Sequence, residues 1–247
     1  MKTVFKVLLG LVLLLVVAAV ATRWFLSDKL DAYVRDTIVE SGSRDLQTGF
    51  NVESVSISLR RASAKLEGIR IDNPDGYSDR PVLQVASVLV DFEITTIDDP
   101  VLVIEEVTIL NPVVNYEINE QGVANLDVLE ERIARKSAGA SSSQGDRLLI
   151  IDRLDFRGGS ITARALREPD QELVFDFPVV FMTDLGSPNG ASPEQLGQQV
   201  STVLVERVIN AAKKAGVESL VETQKERLLE RASEKLGEKL DKLIDRD

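Results

Sequence analysis

Four groups of residues in this chain are of types that could do chemistry: the adjacent carboxylates Asp98-Asp99 and Glu105-Glu106, the run Ser141 to Ser143, and the pair Gly158-Gly159. Two carboxylates perform acid–base or glycosyl chemistry when they converge in a desolvated site. Neighbours on a strand point to opposite faces, so adjacency in sequence keeps each pair apart. A serine nucleophile needs a base within hydrogen-bond reach, and the chain has no histidine to serve as one. With no cysteine either, the usual zinc ligand sets are missing. Gly158-Gly159 lacks the spacing of a phosphate-cradling loop and reads as a hairpin turn. The expectation is a non-enzymatic protein with no catalytic residues, no metal and no cofactor.

Charge narrows the partners. The 29 basic and 40 acidic residues give a net charge of −11. Lys2, Lys6 and Arg23 all precede Asp28, so the remainder is more acidic still. Nucleic acid, which needs a basic surface, is excluded as a partner. The absence of cysteine also rules out disulfides and a lipid-modified N-terminal cysteine.

Membrane contact is written into the first residues. Lys2 and Lys6 precede Val7 to Ala21, which carries no charge and is rich in Leu and Val, the layout of a secretory n-region and h-region. A spanning helix needs about 20 apolar residues; Val4 to Leu26 reaches that length if Lys6 and Arg23 snorkel. Trp24 and Phe25 suit the membrane–water boundary. Ala19-Val20-Ala21 fits a signal-peptidase site, so a retained anchor and a cleaved signal are both open readings. Basic residues flank both ends and hardly orient the segment; the short N-terminus favours N-in.

Beyond the segment, periodicity outlines the elements that must position everything else. Ser27 to about Thr48 reads as a helix with Leu30, Tyr33, Val34, Ile38 and Val39 on one face. From Phe50 the period becomes two: Val55, Ile57 and Leu59, then Ala64, Leu66, Ile69 and Ile71, with phase slips near Ser54 and Gly68 that suggest β-bulges. Asn73-Pro74-Asp75-Gly76 is a turn. Val82 to Ile94 and Val101 to Leu110 are strands, Asn111-Pro112 breaks the second, and Val114, Tyr116 and Ile118 begin another before the Gln121-Gly122 turn. A short helix over 126–136 leads into Ser137 to Gly145, a flexible linker by composition. Strands resume over 147–156, continue through Ile161, Ala163 and Ala165, and end with Leu173, Phe175, Phe177, Val179 and Phe181 on one face. Tight turns and one-sided apolarity describe an antiparallel sheet with a dry face and a wet face.

From Pro193 the period returns to 3.6. Leu196, Val200, Val203, Leu204 and Val208 share a face; Leu229, Leu236 and Leu243 share another, flanked by rows of Glu and of Arg and Lys. The expected organisation is a signal-anchor at 1–27, a short helix at 28–48, a β-domain in two parts at 49–136 and 147–186 joined by a linker at 137–146, and a helical region at 187–247.

The stretch Gly68 to Tyr77, with its Asn73-Pro74-Asp75-Gly76, the block Val103 to Glu117, and Gln121-Gly122-Val123-Ala124-Asn125-Leu126 resemble the motifs of AsmA-like envelope proteins. The likeness covers residues 1–130 well and 147–183 loosely. It implies an inner-membrane protein facing the periplasm, with a curved sheet whose apolar face is akin to the grooves of bridge-like lipid-transfer proteins. Roughly eight strands at about 4.8 Å would extend only about 40 Å, too short to bridge two membranes, and the helical tail is outside the pattern.

The fold class expected is α+β: an N-terminal transmembrane helix, a curved and mostly antiparallel sheet with one apolar face, and C-terminal amphipathic helices. On the resemblance, Val88, Val90, Phe92, Val114, Tyr116, Phe175, Phe177 and Phe181 are candidates to line a groove for phospholipid acyl chains in support of envelope lipid homeostasis. The same apolar face read as a core under the tail helices makes the chain an interaction module that docks an envelope protein or self-associates.

Overall fold

A computed structural model describes residues 27–129, 131–132, 148–167 and 171–193, and residues 195–197, 199–200, 203–204, 207 and 211 of the helix that follows. Helix α1 (Ser27–Leu46) leads into strands β1 (Phe50–Asn51), β2 (Ser54–Ser58), β3 (Ser63–Ile71), β4 (Leu83–Phe92) and β5 (Val101–Ile118). After a second helical segment described at 125–129 and 131–132, strands β6 (Leu148–Arg157), β7 (Ser160–Ala165), β8 (Glu172–Asp176) and β9 (Val180–Leu185) complete one sheet. The N-terminal segment, the serine-rich linker and the second C-terminal helix expected from sequence lie outside the described residues. Among the described residues no helix is long and apolar enough to cross a membrane.

The nine strands lie in six rows, because β1 with β2, β6 with β7 and β8 with β9 each share one row. β1 and β2 both pair with β3; β4 follows; β5 pairs β4 on one side and both β6 and β7 on the other; β9 and β8 pair β6 and β7. The sheet is mostly antiparallel, as expected, but it is mixed rather than purely antiparallel: β6 and β7 both run parallel to β5. A parallel neighbour needs a crossover rather than a tight turn, and the stretch from Asn119 to the start of β6 provides it. Gly158-Gly159 is not a hairpin turn. Arg157 pairs with Leu110 and Ser160 with Val113, so the chain passes through the glycines in the same direction. Asn111-Pro112 likewise does not end a strand, since β5 continues through it to Ile118.

One physical feature accounts for both corrections. Val55, Leu66, Val88, Ile109, Phe156 and Val180 are successive Cα partners across the sheet. Phe50, Ile71, Leu83, Val114, Ile161 and Phe175 form a second such row. Both rows face one apolar core. Yet within every strand line the two are an odd number of residues apart, as Leu83 is from Val88, and regular alternation would put them on opposite faces. The pleat therefore reverses between the rows. Gly68, Asn111 and Gly158 sit on that line with φ of 61°, 49° and 67°, the left-handed region that glycine and asparagine tolerate best. Register is continuous across it, with Glu67 opposite Ser87 and Ile69 opposite Val85. The phase slips at Ser54 and Gly68 are thus one transverse crease, with no extra residue in either strand. The register shift that does occur lies at Asp91/Phe92.

Helices close the apolar face. Val34, Ile38 and Leu46 of α1, Leu126 and Leu129 of the crossover segment, and Leu196, Val200 and Leu204 of the last helix are buried in the same core as the sheet. Tyr33, expected on the inner face of α1, is exposed, and Leu46 takes an inner position instead. The C-terminus of α1 is held by Arg132, whose guanidinium donates to the carbonyls of Leu46 (3.0 Å) and Gln47 (2.7 Å), a favourable cation at the negative end of a helix.

Candidate functional site

The residues proposed to line a groove do not form an open one among the described residues. Val88, Val90, Phe92, Val114 and Phe177 are buried, and Tyr116 and Phe175 are partly buried against the same core. Phe177 stacks on Phe156, ring centroids 5.8 Å apart and planes 16° from parallel, a packing contact. Phe181 lies on the other face and is 58% exposed. The alternation read over Leu173 to Phe181 breaks because the crease falls between β8 and β9: Val180 turns inward, and Val179 and Phe181 turn outward.

The motifs that carry the AsmA-like resemblance converge on one buried carboxylate. Glu117, near the end of β5, has no exposed surface. Its Oε1 accepts from Arg164 Nη2 (2.6 Å) and Nε (2.9 Å) and from the Ser78 hydroxyl (2.6 Å). Its Oε2 accepts from the Ser78 N–H (3.0 Å) and from Asn73 Nδ2 (3.0 Å). Arg164 is the Cα partner of Glu117 across the parallel β5–β7 pair, and its side chain is 11% exposed. Five donors on one carboxylate satisfy a charge that would otherwise be prohibitive to bury.

Asn125 ties the second motif to the first. Its Nδ2 donates to Asn73 Oδ1 (2.7 Å) and to the Asn115 carbonyl (2.7 Å), and its Oδ1 accepts the N–H groups of Glu117 (3.1 Å) and Leu126 (2.9 Å). The bond to Leu126 N–H opens the crossover helix. Tyr77 donates to the Val123 carbonyl (3.0 Å) and accepts from Asn119 Nδ2 (3.3 Å). Burial, reinforced by the charge of Asp127, pushes both Tyr77 and Tyr116 up to about 12. Asn115 Nδ2 donates to the Pro81 carbonyl (2.7 Å). The knot pins the 72–82 loop and the 119–126 turn onto the end of β5. Its polar atoms are spent on one another, which is how a motif fixes geometry without presenting groups to a substrate.

The carboxylate pairs are elsewhere. Glu105 is exposed, and Glu106 accepts from Arg153 (3.2 Å) and Arg157 (3.3 Å) on the outer face of the sheet. Asp98 and Asp99 occupy the exposed turn before β5. Among the described residues no three of His, Cys, Asp and Glu gather as a metal site. A shallow depression of 820 Å³ lies between the 184–191 turn and the last helix, lined among others by Met182, Asp184, Asn189, Gln195, Gln199 and Val203.

Sequence reasoning missed the Glu117–Arg164 pair. The signal was present: in strand periodicity Glu117 occupies a polar position with no special mark, but it falls inside the motif block, and Arg164 is a lone cation in a small-residue strand. Comparison with protein-family models, with curated proteins and with solved structures found no match.

Proposed function

We propose that this chain is a non-catalytic docking domain, tethered at the inner membrane by its N-terminal segment and facing the periplasm, where it serves the cell envelope through contact with another protein. The tether rests on the uncharged Val7 to Ala21 run and on the AsmA-like resemblance. The observation that carries docking over acyl-chain shielding is the closure of the dry face. Leu196, Val200 and Leu204 are each 0% exposed against the same core as both apolar rows. An acyl chain would have to displace that helix, and returning those side chains to water would offset the gain of about 0.8 kcal/mol per buried CH₂.

A photoreactive phenylalanine analogue placed at Phe175 and, separately, at Phe181 in the full-length protein tests this in cells. Docking predicts protein adducts from position 181 and no phospholipid adduct from position 175. Stoichiometric phospholipid attached at position 175 would establish the groove reading and overturn this one.

A further inference from the structure

The two edges of the sheet are treated differently. On the first, α1 packs over β1 and β2, with Val34 and Ile38 in the core. There the Asp31 carboxylate accepts the Ile57 N–H of the edge strand at 3.0 Å. A helix over the edge, with a side chain on an edge donor, is a standard protection against strand addition. The second edge is the row of β8 and β9. Among the described residues no strand or helix pairs with its outer side. It also carries three of the largest apolar exposures among those residues: Val174 at 64%, Val179 at 75% and Phe181 at 58%. On the inner face of the same row, Phe175 and Met182 are only partly buried, so the core itself is incomplete there.

Composition decides what fits. Edge strands that must stay single usually carry lysine. Residues 172–185 contain Glu172, Asp176 and Asp184 and no basic residue. Glu172 is neutralised by Arg80 at 2.7 Å, while Asp176 lies beside Val174 on the outward side and is exposed. A second copy pairing edge to edge would bring acidic residues against acidic residues, and like charges across strands are destabilising. An anionic bilayer is opposed by the same charges. We infer that the β8–β9 edge is the docking surface, and that its occupant is an extended segment of another protein, alternating apolar and basic residues, that adds as a further strand. The inference rests on the docking reading above and names its partner class. Main-chain bonds supply affinity in such strand addition, and side chains supply specificity. The apolar residues of the guest would cover Phe175 and Met182 on the inner face, and its cations would lay their stems over Val174 and Phe181 on the outer face with a charge at Asp176. Pro178, between the two strands, limits pairing to either side of the crease.

The test uses full-length protein in detergent micelles, a decapeptide alternating valine and lysine, the same peptide with glutamate for lysine, and phosphatidylglycerol vesicles. The lysine peptide is expected to bind at least about tenfold more tightly than the glutamate peptide, with salt weakening it, and to slow hydrogen exchange at backbone amides of β9. The double variant Val174→Lys/Phe181→Lys changes only exposed positions and is expected to abolish binding with the circular dichroism spectrum unchanged. Four results would each overturn the inference: equal affinity for both peptides, binding that survives the double variant, outward β9 amides already protected in the free protein by its own tail or a second copy, or capture of the surface by vesicles instead of peptide. If the lysine peptide fails while the position-181 probe still yields protein adducts, only the strand-partner inference falls. Loss of both removes the docking reading with it.

Discussion

Glu117 and Arg164 form a buried pair whose two members depend on each other far more than the fold depends on having charges there. Replacing a buried pair by apolar groups can be neutral, whereas removing one partner strands the other's charge. Glu117→Gln should therefore cost roughly 3–5 kcal/mol, read as a lower urea midpoint with unchanged slope. Glu117→Gln combined with Arg164→Gln should recover part of that loss, and the double-mutant cycle would show strong coupling. The tyrosines of the same knot give a pH signature. Both phenols are raised from 10 to about 12 in the folded protein, so folding favours their protonated form. The stability they contribute is fully present below the unfolded value near 10 and is lost as pH rises toward about 12. Alkaline titration followed by phenolate absorbance should show two tyrosines ionising together with unfolding in that window, and Tyr77→Phe should remove one of them. At this scale the sequence was legible as motif and illegible as role. Asn73, Gly76, Tyr77 and Asn125 mark the resemblance, but nothing in their spacing says that Asn73 and the neighbouring Ser78 donate to the Glu117 carboxylate, 44 and 39 residues further on.

The elements themselves were mostly readable, because alternation of period two marks strands well. Where the reading failed, it failed along one line. Gly68, Asn111-Pro112 and Gly158-Gly159 look in sequence like a bulge, a break and a turn, and the run across Pro178 looks like unbroken alternation. In space they are one crease, and only neighbouring strands reveal that the irregular residues align. The crease makes a sharp prediction. A Cβ on Gly159 would lie 2.1 Å from the Pro112 carbonyl oxygen, at a φ of 93°. Gly159→Ala should destabilise by about 1–3 kcal/mol from backbone strain, with the clash added. Asn111 already holds φ 49° without being glycine, and Asn111→Gly should change stability by less than about 1 kcal/mol. Thermal unfolding of the two variants side by side separates a crease that needs left-handed residues from a loop that merely tolerates them. The covering helix gives a second comparison. Leu196 is fully buried, so Leu196→Ala should cost about 2–5 kcal/mol. If that helix were instead a lid displaced by lipid, the same change would loosen the lid and leave the sheet's stability nearly untouched.

For the whole molecule, the consequence lies in which edge faces where. The sheet has nine strands but only six rows, so from the first row to the last it spans about 24 Å at about 4.8 Å per step, less than the 40 Å expected from counting strands. Helix α1 starts at Ser27, directly after the apolar N-terminal stretch, and packs on the first row. The apolar, acidic β8–β9 edge is the last row. If the N-terminal segment is the proposed tether, it attaches at the first row, and the β8–β9 edge, unpaired among the described residues, lies at the opposite end of the sheet. This arrangement needs the N-terminal segment to stay attached. With the anchor retained, sodium carbonate washing should leave the protein in the membrane pellet, and peptide mapping should recover the residues ahead of Thr22. Cleavage after Ala21 would release a chain beginning at Thr22 into the soluble periplasmic fraction. The tether would then play no part in function, and the docking edge would lose its fixed orientation. Lys2 and Lys6 on one side of the segment and Arg23, Lys29 and Arg35 on the other nearly balance, so charge alone does not orient it. The periplasmic side is the one proposed above on the AsmA-like resemblance. Protease added to intact spheroplasts should therefore digest the domain, and protection of the domain would place it on the opposite side of the membrane and remove the periplasmic reading.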